Sequence, residues 1–222
     1  MCCRYAVPAA QKWRDKVMPK LKWAGIIRGE AGALQQGVPL PGDAVKMAMP
    51  ASMGEMMKKA AVFLPLPLTV LLGAMFVKTY LSGQVVVQPV FTVLGFCASV
   101  PALLLHELLH ALPYPKTAVV HIGLVPQAMA AVVLVSHPLG RGRFIFMSLL
   151  PTILGIVPIA LFLCFPPDWT AWNGFFFGFA AMGLVSPYPD LYNVFQVLRQ
   201  TPRRCQIQFW GDDTYYFMGE SL

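Results

Sequence analysis

The segment His106-Glu107-Leu108-Leu109-His110 has the residue types and the spacing of a metal-dependent hydrolytic site. Residues four apart lie on one face of a helix, so two imidazoles can bind one zinc ion while the adjacent Glu acts as a base. With four His and four Glu in 222 residues, chance would produce this motif in about one such sequence per thousand. The alternative is an amphipathic helix end that holds two histidines among lipid headgroups.

A long uncharged run leads into this motif. Residues 79–105 contain no Asp, Glu, Lys, Arg or His. The whole chain is 57% hydrophobic and 12% charged, whereas soluble domains carry roughly 25% charged residues. These values predict a multi-pass integral membrane protein, with any zinc site at or inside the membrane boundary.

Four apolar runs are long enough to cross a bilayer, which requires about 20 residues. They are residues 60–77, 79–105, 144–167 and 169–189. The second helix should begin near Val86 and end at Leu112, where Pro113 and Pro115 stop it. We therefore predict an all-α membrane protein with about four transmembrane helices. A basic cytoplasmic leader (residues 1–59), a membrane core (60–199) and a cytoplasmic tail (200–222) would make up the chain.

The segment between the second and third runs has two interpretations. Residues 117–140 contain no Asp, Glu, Lys or Arg, as a fifth span would. They are also rich in β-branched residues and are interrupted near Pro126-Gln127, which is typical of two short strands. We favour a small β-hairpin inserted between the second and third transmembrane helices.

The distribution of positive charge predicts the topology. With four spans, 16 of the 17 Lys and Arg share one side of the membrane, and only Lys78 lies opposite. The positive-inside rule then places both termini in the cytoplasm. The net charge of +7 is explained by orientation in the bilayer, so we expect lipid and a membrane-protein or peptide substrate as partners, and no nucleic acid.

A catalytic zinc needs a third protein ligand besides His106 and His110. Position 116 is Lys, which excludes the His that a metzincin would carry there. No Asp or Glu occurs between His110 and Asp168, and Asp168 falls on the far side of the membrane. Asp190 lies about 20 residues into the fourth run, as the motif does in the second, so both reach a matching depth.

Several roles stay open at this point. Asp190 could instead cap a cytoplasmic helix, because Pro189-Asp190 is a plausible helix start. His121 and His137 are rival metal ligands. Asn193, one helical turn beyond Asp190, could hydrogen-bond an oxyanion or a ligand in a second shell, or could only satisfy local backbone groups.

Together these features resemble the site-2-protease type of intramembrane zinc metalloprotease. The layout is more similar to a family of bacterial membrane proteins described as zincin peptidases, long held as a domain of unknown function. The stretches that carry the resemblance are residues 40–46, 106–112, 138–143 and 190–194, with Arg199 and Pro202.

The resemblance implies zinc bound by His106, His110 and Asp190, with Glu107 as the base, in a bacterial cytoplasmic membrane. The expected function is a zinc-dependent peptidase acting within the membrane or at its boundary. Site-2 proteases usually have Gly after the metal-binding Asp, whereas this chain has Leu191. The alternative function is a non-catalytic membrane scaffold or regulatory protein that retains a zinc site.

Overall fold

The computed structural model describes residues 19–27, 34–35, 37–125 and 130–218. Helices dominate, and two short 3-10 turns, Ala61–Phe63 and Leu150–Thr152, interrupt them. The α-helices are α1 Met53–Ala60, α2 Pro65–Ser82, α3 Pro89–Ala111, α4 Arg141–Leu149, α5 Ile153–Cys164, α6 Thr170–Val185 and α7 Tyr188–Gln200.

Short strands form two small sheets. One sheet has the order β1-β3-β4 and the other has the order β2-β7-β6-β5. The strands are β1 Lys20–Ile26, β2 Val45–Lys46, β3 Val119–Val125, β4 Ala130–Leu134, β5 Leu139–Gly140, β6 Gln206–Trp210 and β7 Asp213–Phe217.

Three helical segments of the described chain are long and apolar enough to cross a membrane. They are Pro65–Ser82 (α2), Pro89–Ala111 (α3), and Arg141–Cys164, which joins α4 and α5. The helix expected to start near Val86 starts at Pro89, and it ends at Ala111, one residue before the predicted Leu112.

The predicted fourth span is not confirmed. Helix α6 has 16 residues, fewer than the roughly 20 that a spanning helix needs. The reason is local: α6 ends at Val185, Ser186 is its C-cap, and Pro187 precedes the start of α7 at Tyr188. The break at Pro187 divides this run into two helices.

The β-hairpin between the second and third apolar segments is confirmed. Strand β4 pairs antiparallel with β3, with Ile122 opposite Val133. Strand β3 also pairs in parallel with β1 of the leader. On the tail side, β6 pairs with β5 and β7 pairs with β2. Strands of the leader and the tail therefore join those of the predicted core, and the proposed division at residues 59 and 199 stays a prediction.

Helices α3 and α6 pack in parallel and almost backbone to backbone. A Cβ added to Gly174 would lie 2.7 Å from the carbonyl oxygen of Gln88, and one added to Gly178 would lie 1.9 Å from that of Thr92. Four residues further along α6 thus correspond to four residues further along α3, so the helices run in the same direction. Glycine is required here because any side chain would separate the helices.

Lys78 of α2 is buried among polar atoms from the α5–α6 connection. Its ammonium donates to the carbonyl oxygens of Phe162 and Phe165 and to Asn173 Oδ1, the last at 2.7 Å. Asn173 donates in turn to the Pro166 carbonyl at 2.8 Å. The ammonium satisfies carbonyls at the C-terminal end of α5, which otherwise lack partners, and so links α2 to α5 and α6.

Candidate metal centre

His106 and His110 face each other one helical turn apart on α3. Their ring centroids are 4.9 Å apart and their Nε2 atoms are 3.2 Å apart. The Nδ1 atom of His110 lies 3.0 Å from the carbonyl oxygen of Met147. A protonated Nδ1 donating to this carbonyl leaves Nε2 as the free lone pair, which is the arrangement of a metal-binding histidine.

Asp190, in the first turn of α7, completes a three-residue cluster. Its Oδ2 lies 3.4 Å from His106 Nε2, and its Oδ1 lies 3.4 Å from His110 Nε2. Potential ligand atoms of the three residues all lie within 4.8 Å of one another. Two ligands bound at 2.0–2.1 Å to a tetrahedral zinc are about 3.3 Å apart. The donor types and their separations therefore fit a zinc ion.

The parallel packing of α3 and α6 explains why Asp190 reaches the histidines. Asp190 follows Gly178 by twelve residues and His106 follows Thr92 by fourteen. At 1.5 Å per residue these distances are about 18 and 21 Å from the glycine contact. The two chains therefore arrive at nearly the same level.

The surroundings of Asp190 differ from those of a helix cap and from those of the other candidate ligands. The N-cap of α7 is Pro187, without a side-chain capping bond, and the carboxylate of Asp190 faces the imidazoles instead. Among the described residues, the cluster that could hold a metal contains neither His121 nor His137 nor Asp168. His137 Nδ1 lies 3.0 Å from the Pro138 carbonyl.

Glu107 and Asn193 both border a cavity of about 100 Å³ beside the cluster, together with His110 and Asp190. The Oδ1 atom of Asn193 is buried and has no hydrogen-bond partner among the described residues. Glu107 is therefore placed to exchange protons with a molecule in the cavity, and Oδ1 of Asn193 can accept a hydrogen bond from one.

The remaining cavity walls were not expected from the sequence. They are formed by Tyr114, Val133, Val135, Met147, Ser148 and Phe209. Tyr114 is almost completely buried, and this burial raises the pKa of its hydroxyl above the usual value, so the phenol stays protonated. Tyr114 follows His110 by four residues but lies beyond the end of α3 at Ala111, so helical spacing did not predict its position. Phe209 had no local signal either, since only the pairing of a distant strand brings it here.

The family described as "Putative zincin peptidase" matches residues 99–206. This match supports a zincin-like family. The matched range includes both histidines, Glu107 and Asp190. No curated protein and no solved structure gives a significant match to this chain.

Proposed function

We propose that this protein is a zinc-dependent peptidase of the site-2-protease type, which hydrolyses peptide bonds within the membrane or at its cytoplasmic boundary. The observation that carries the proposal is the convergence of His106, His110 and Asp190 at separations of 3.2–3.4 Å. The zincin-like family match supports it.

Two polar residues that border the cavity have defined roles in the proposed reaction. Zinc, when bound, supplies a water of lowered pKa and polarises a carbonyl group. Glu107 accepts a proton from the attacking water at its carboxylate and delivers it to the departing amine nitrogen. Asn193, which borders the same cavity, offers its Nδ2–H to the developing oxyanion and its buried Oδ1 to a substrate backbone N–H.

The substrate in this proposal binds as an extended strand. A peptide bond inside a helix is not open to attack, so an unwound segment is required. Among the described residues, β4 is the last strand of its sheet, and Val133 of β4 borders the cavity. A peptide paired along this edge would pass the metal cluster with its backbone exposed.

Four crossings and cytoplasmic termini in a bacterial cytoplasmic membrane complete the proposal. Helix α6 crosses together with the start of α7 in this arrangement, because it packs along the apolar α3 and carries no Asp, Glu, Lys or Arg. The arginines and lysines outside α2 then lie on the same side as the metal cluster.

Cleavage by matched Glu variants tests the catalytic role. Wild type, Glu107→Gln and Glu55→Gln should be reconstituted in nanodiscs and given a mixed-sequence fluorogenic peptide library. Glu55 is a suitable control because it lies in α1 and pairs with Lys59 at 2.6 Å. We expect zinc-dependent cleavage by wild type and Glu55→Gln, and a loss of about 100-fold or more for Glu107→Gln. Equal cleavage by all three proteins would refute the mechanism.

Elemental analysis of the same preparations tests the metal centre. We expect one zinc per chain in wild type and in Asp168→Asn, and little zinc in Asp190→Asn or His106→Ala. A protein that holds zinc at this site but cleaves nothing, with or without Glu107, would be the non-catalytic scaffold or regulatory protein. Unchanged zinc content in both ligand variants would exclude the assignment of the site.

A further inference from the structure

The cavity beside the metal cluster has one polar and one apolar side. Glu107, His110 and Asp190 form the polar side. The apolar side contains Val133, in β4, and Val135, which follows the end of that strand. It is completed by Met147 of α4 and Phe209 of β6.

The size of the cavity limits what can enter it. Its volume is about 100 Å³, whereas an engineered apolar cavity that binds benzene measures about 150 Å³. The space against the reacting groups is therefore smaller than one known to hold a phenyl ring, and a small side chain fills it. The side chains of Met147 and Phe209 both line this space.

Charge excludes a second group of side chains. The ionisable residues that line the cavity are Glu107, His110, Tyr114 and Asp190, and the proposed function already uses Glu107, His110 and Asp190. A substrate Lys, Arg, Asp or Glu side chain would lose its hydration against the valines without gaining a free ion partner, which is costly. Small aliphatic side chains avoid both penalties.

We infer that the apolar half of this cavity is a specificity pocket that takes one small aliphatic side chain, such as Ala or Val, next to the scissile bond. The inference rests on the proposed function and names its substrate class: an extended peptide segment that carries a small aliphatic residue at the cut site. Successive side chains of a strand point to opposite faces, so a segment paired with β4 presents only alternate residues to the pocket. Met147 and Phe209 are the residues that set its size.

A peptide series tests the inference directly. One fluorogenic sequence is varied at each position that flanks the scissile bond, with Ala, Val, Phe or Lys. At one of these positions we expect wild type to cleave the Ala and Val peptides with a kcat/KM about 10-fold or more above that of the Phe and Lys peptides. Phe209→Ala should raise kcat/KM for the Phe peptide relative to the Ala peptide by a similar factor.

Phe217→Ala is the matched control, because Phe217 is a buried residue of the same sheet and lies outside the cavity lining. It should change all rates by one common factor. Equal cleavage of all peptides by wild type, or an unchanged Phe-to-Ala ratio in Phe209→Ala, would overturn the inference while leaving the peptidase intact.

Binding of the same peptides to Glu107→Gln gives a readout that does not require cleavage. We expect the affinities of the Ala and Val peptides to exceed those of the Phe and Lys peptides by about 10-fold. Selective binding without cleavage by wild type would refute the proposed function and keep the pocket. Unselective binding would refute the pocket.

Discussion

Replacement of Gly178 by Ala should weaken zinc binding, although Gly178 lies about 18 Å along the chain from Asp190. The new Cβ would lie 1.9 Å from the Thr92 carbonyl oxygen, and ordinary contact begins at 3.4 Å. Helices α3 and α6 must therefore separate by about 1.5 Å at this point, because a backbone carbonyl of a packed helix cannot rotate away.

The size of the expected effect follows from the tolerance of metal coordination. Metal–ligand distances vary by only about 0.2 Å around their ideal values, far less than the shift that the added methyl group would impose. Helix α6 leads into Asp190, while α3 carries both imidazoles, so their separation pulls the third ligand away from the first two. We expect zinc affinity to fall by about 10–100-fold, the range typical of disturbed support around metal ligands, and stability to fall by about 1–3 kcal/mol.

Competition with a chromogenic chelator measures this affinity on detergent-purified protein, and size-exclusion chromatography verifies that each variant is folded. Gly73→Ala is the control, because Gly73 lies in α2 and nothing would contact its new Cβ within 4 Å. Gly95→Ala is a second test of the same interface, with its Cβ 2.0 Å from the Phe175 carbonyl oxygen. If folded Gly178→Ala binds zinc as tightly as Gly73→Ala does, the interface does not position the site.

Three further predictions concern separate parts of the molecule. Lys78→Met should lower the free energy of unfolding by about 1–3 kcal/mol, because it leaves buried acceptors unpaired, and it should leave the zinc content unchanged. Thermal unfolding and elemental analysis measure these two quantities. The control Lys58→Met, at an exposed position, should change neither of them. Tyr114→Phe should lower kcat by about 10-fold or more with little change in KM or zinc content, since it removes a protonated donor from the cavity. Tyr192 lies outside the cavity lining, so Tyr192→Phe is the control. Equal kcat values for the two variants would contradict the prediction. Removal of zinc by a chelator should lower the thermal unfolding midpoint of wild type, because the metal binds only the folded site, and the same chelator should have little effect on Asp190→Asn.

Local spacing and helix length made the cluster of His106, His110 and Asp190, which could hold a metal, predictable from the sequence. His106 and His110 are four residues apart, which a helix alone converts into neighbouring imidazoles. Asp190 was found by elimination and by its depth, since each helix rises by a fixed distance per residue. The β-hairpin was predicted from β-branched residues and a central turn.

The parts that sequence reasoning missed depend on contacts between distant segments. Phe209 reaches the cavity only because β6 pairs with β5, with Ile207 opposite Leu139, and no periodicity in the tail reveals that partner. Residues 169–189 were predicted as one continuous helix, whereas the chain breaks at Pro187 between α6 and α7. Hydropathy does not register the break that proline introduces, so the break was missed.

The metal ligands and the apolar wall of the cavity therefore have different structural origins. Close packing of α3 against α6 at Gly178 positions His106 and Asp190, whereas strand pairing positions Val133 and Phe209. A change in the helix interface moves a ligand but leaves the wall in place, and a change in the wall leaves the ligands in place. Zinc affinity and side-chain selectivity should consequently respond to different substitutions, and a variant such as Phe209→Ala should alter selectivity at wild-type zinc affinity.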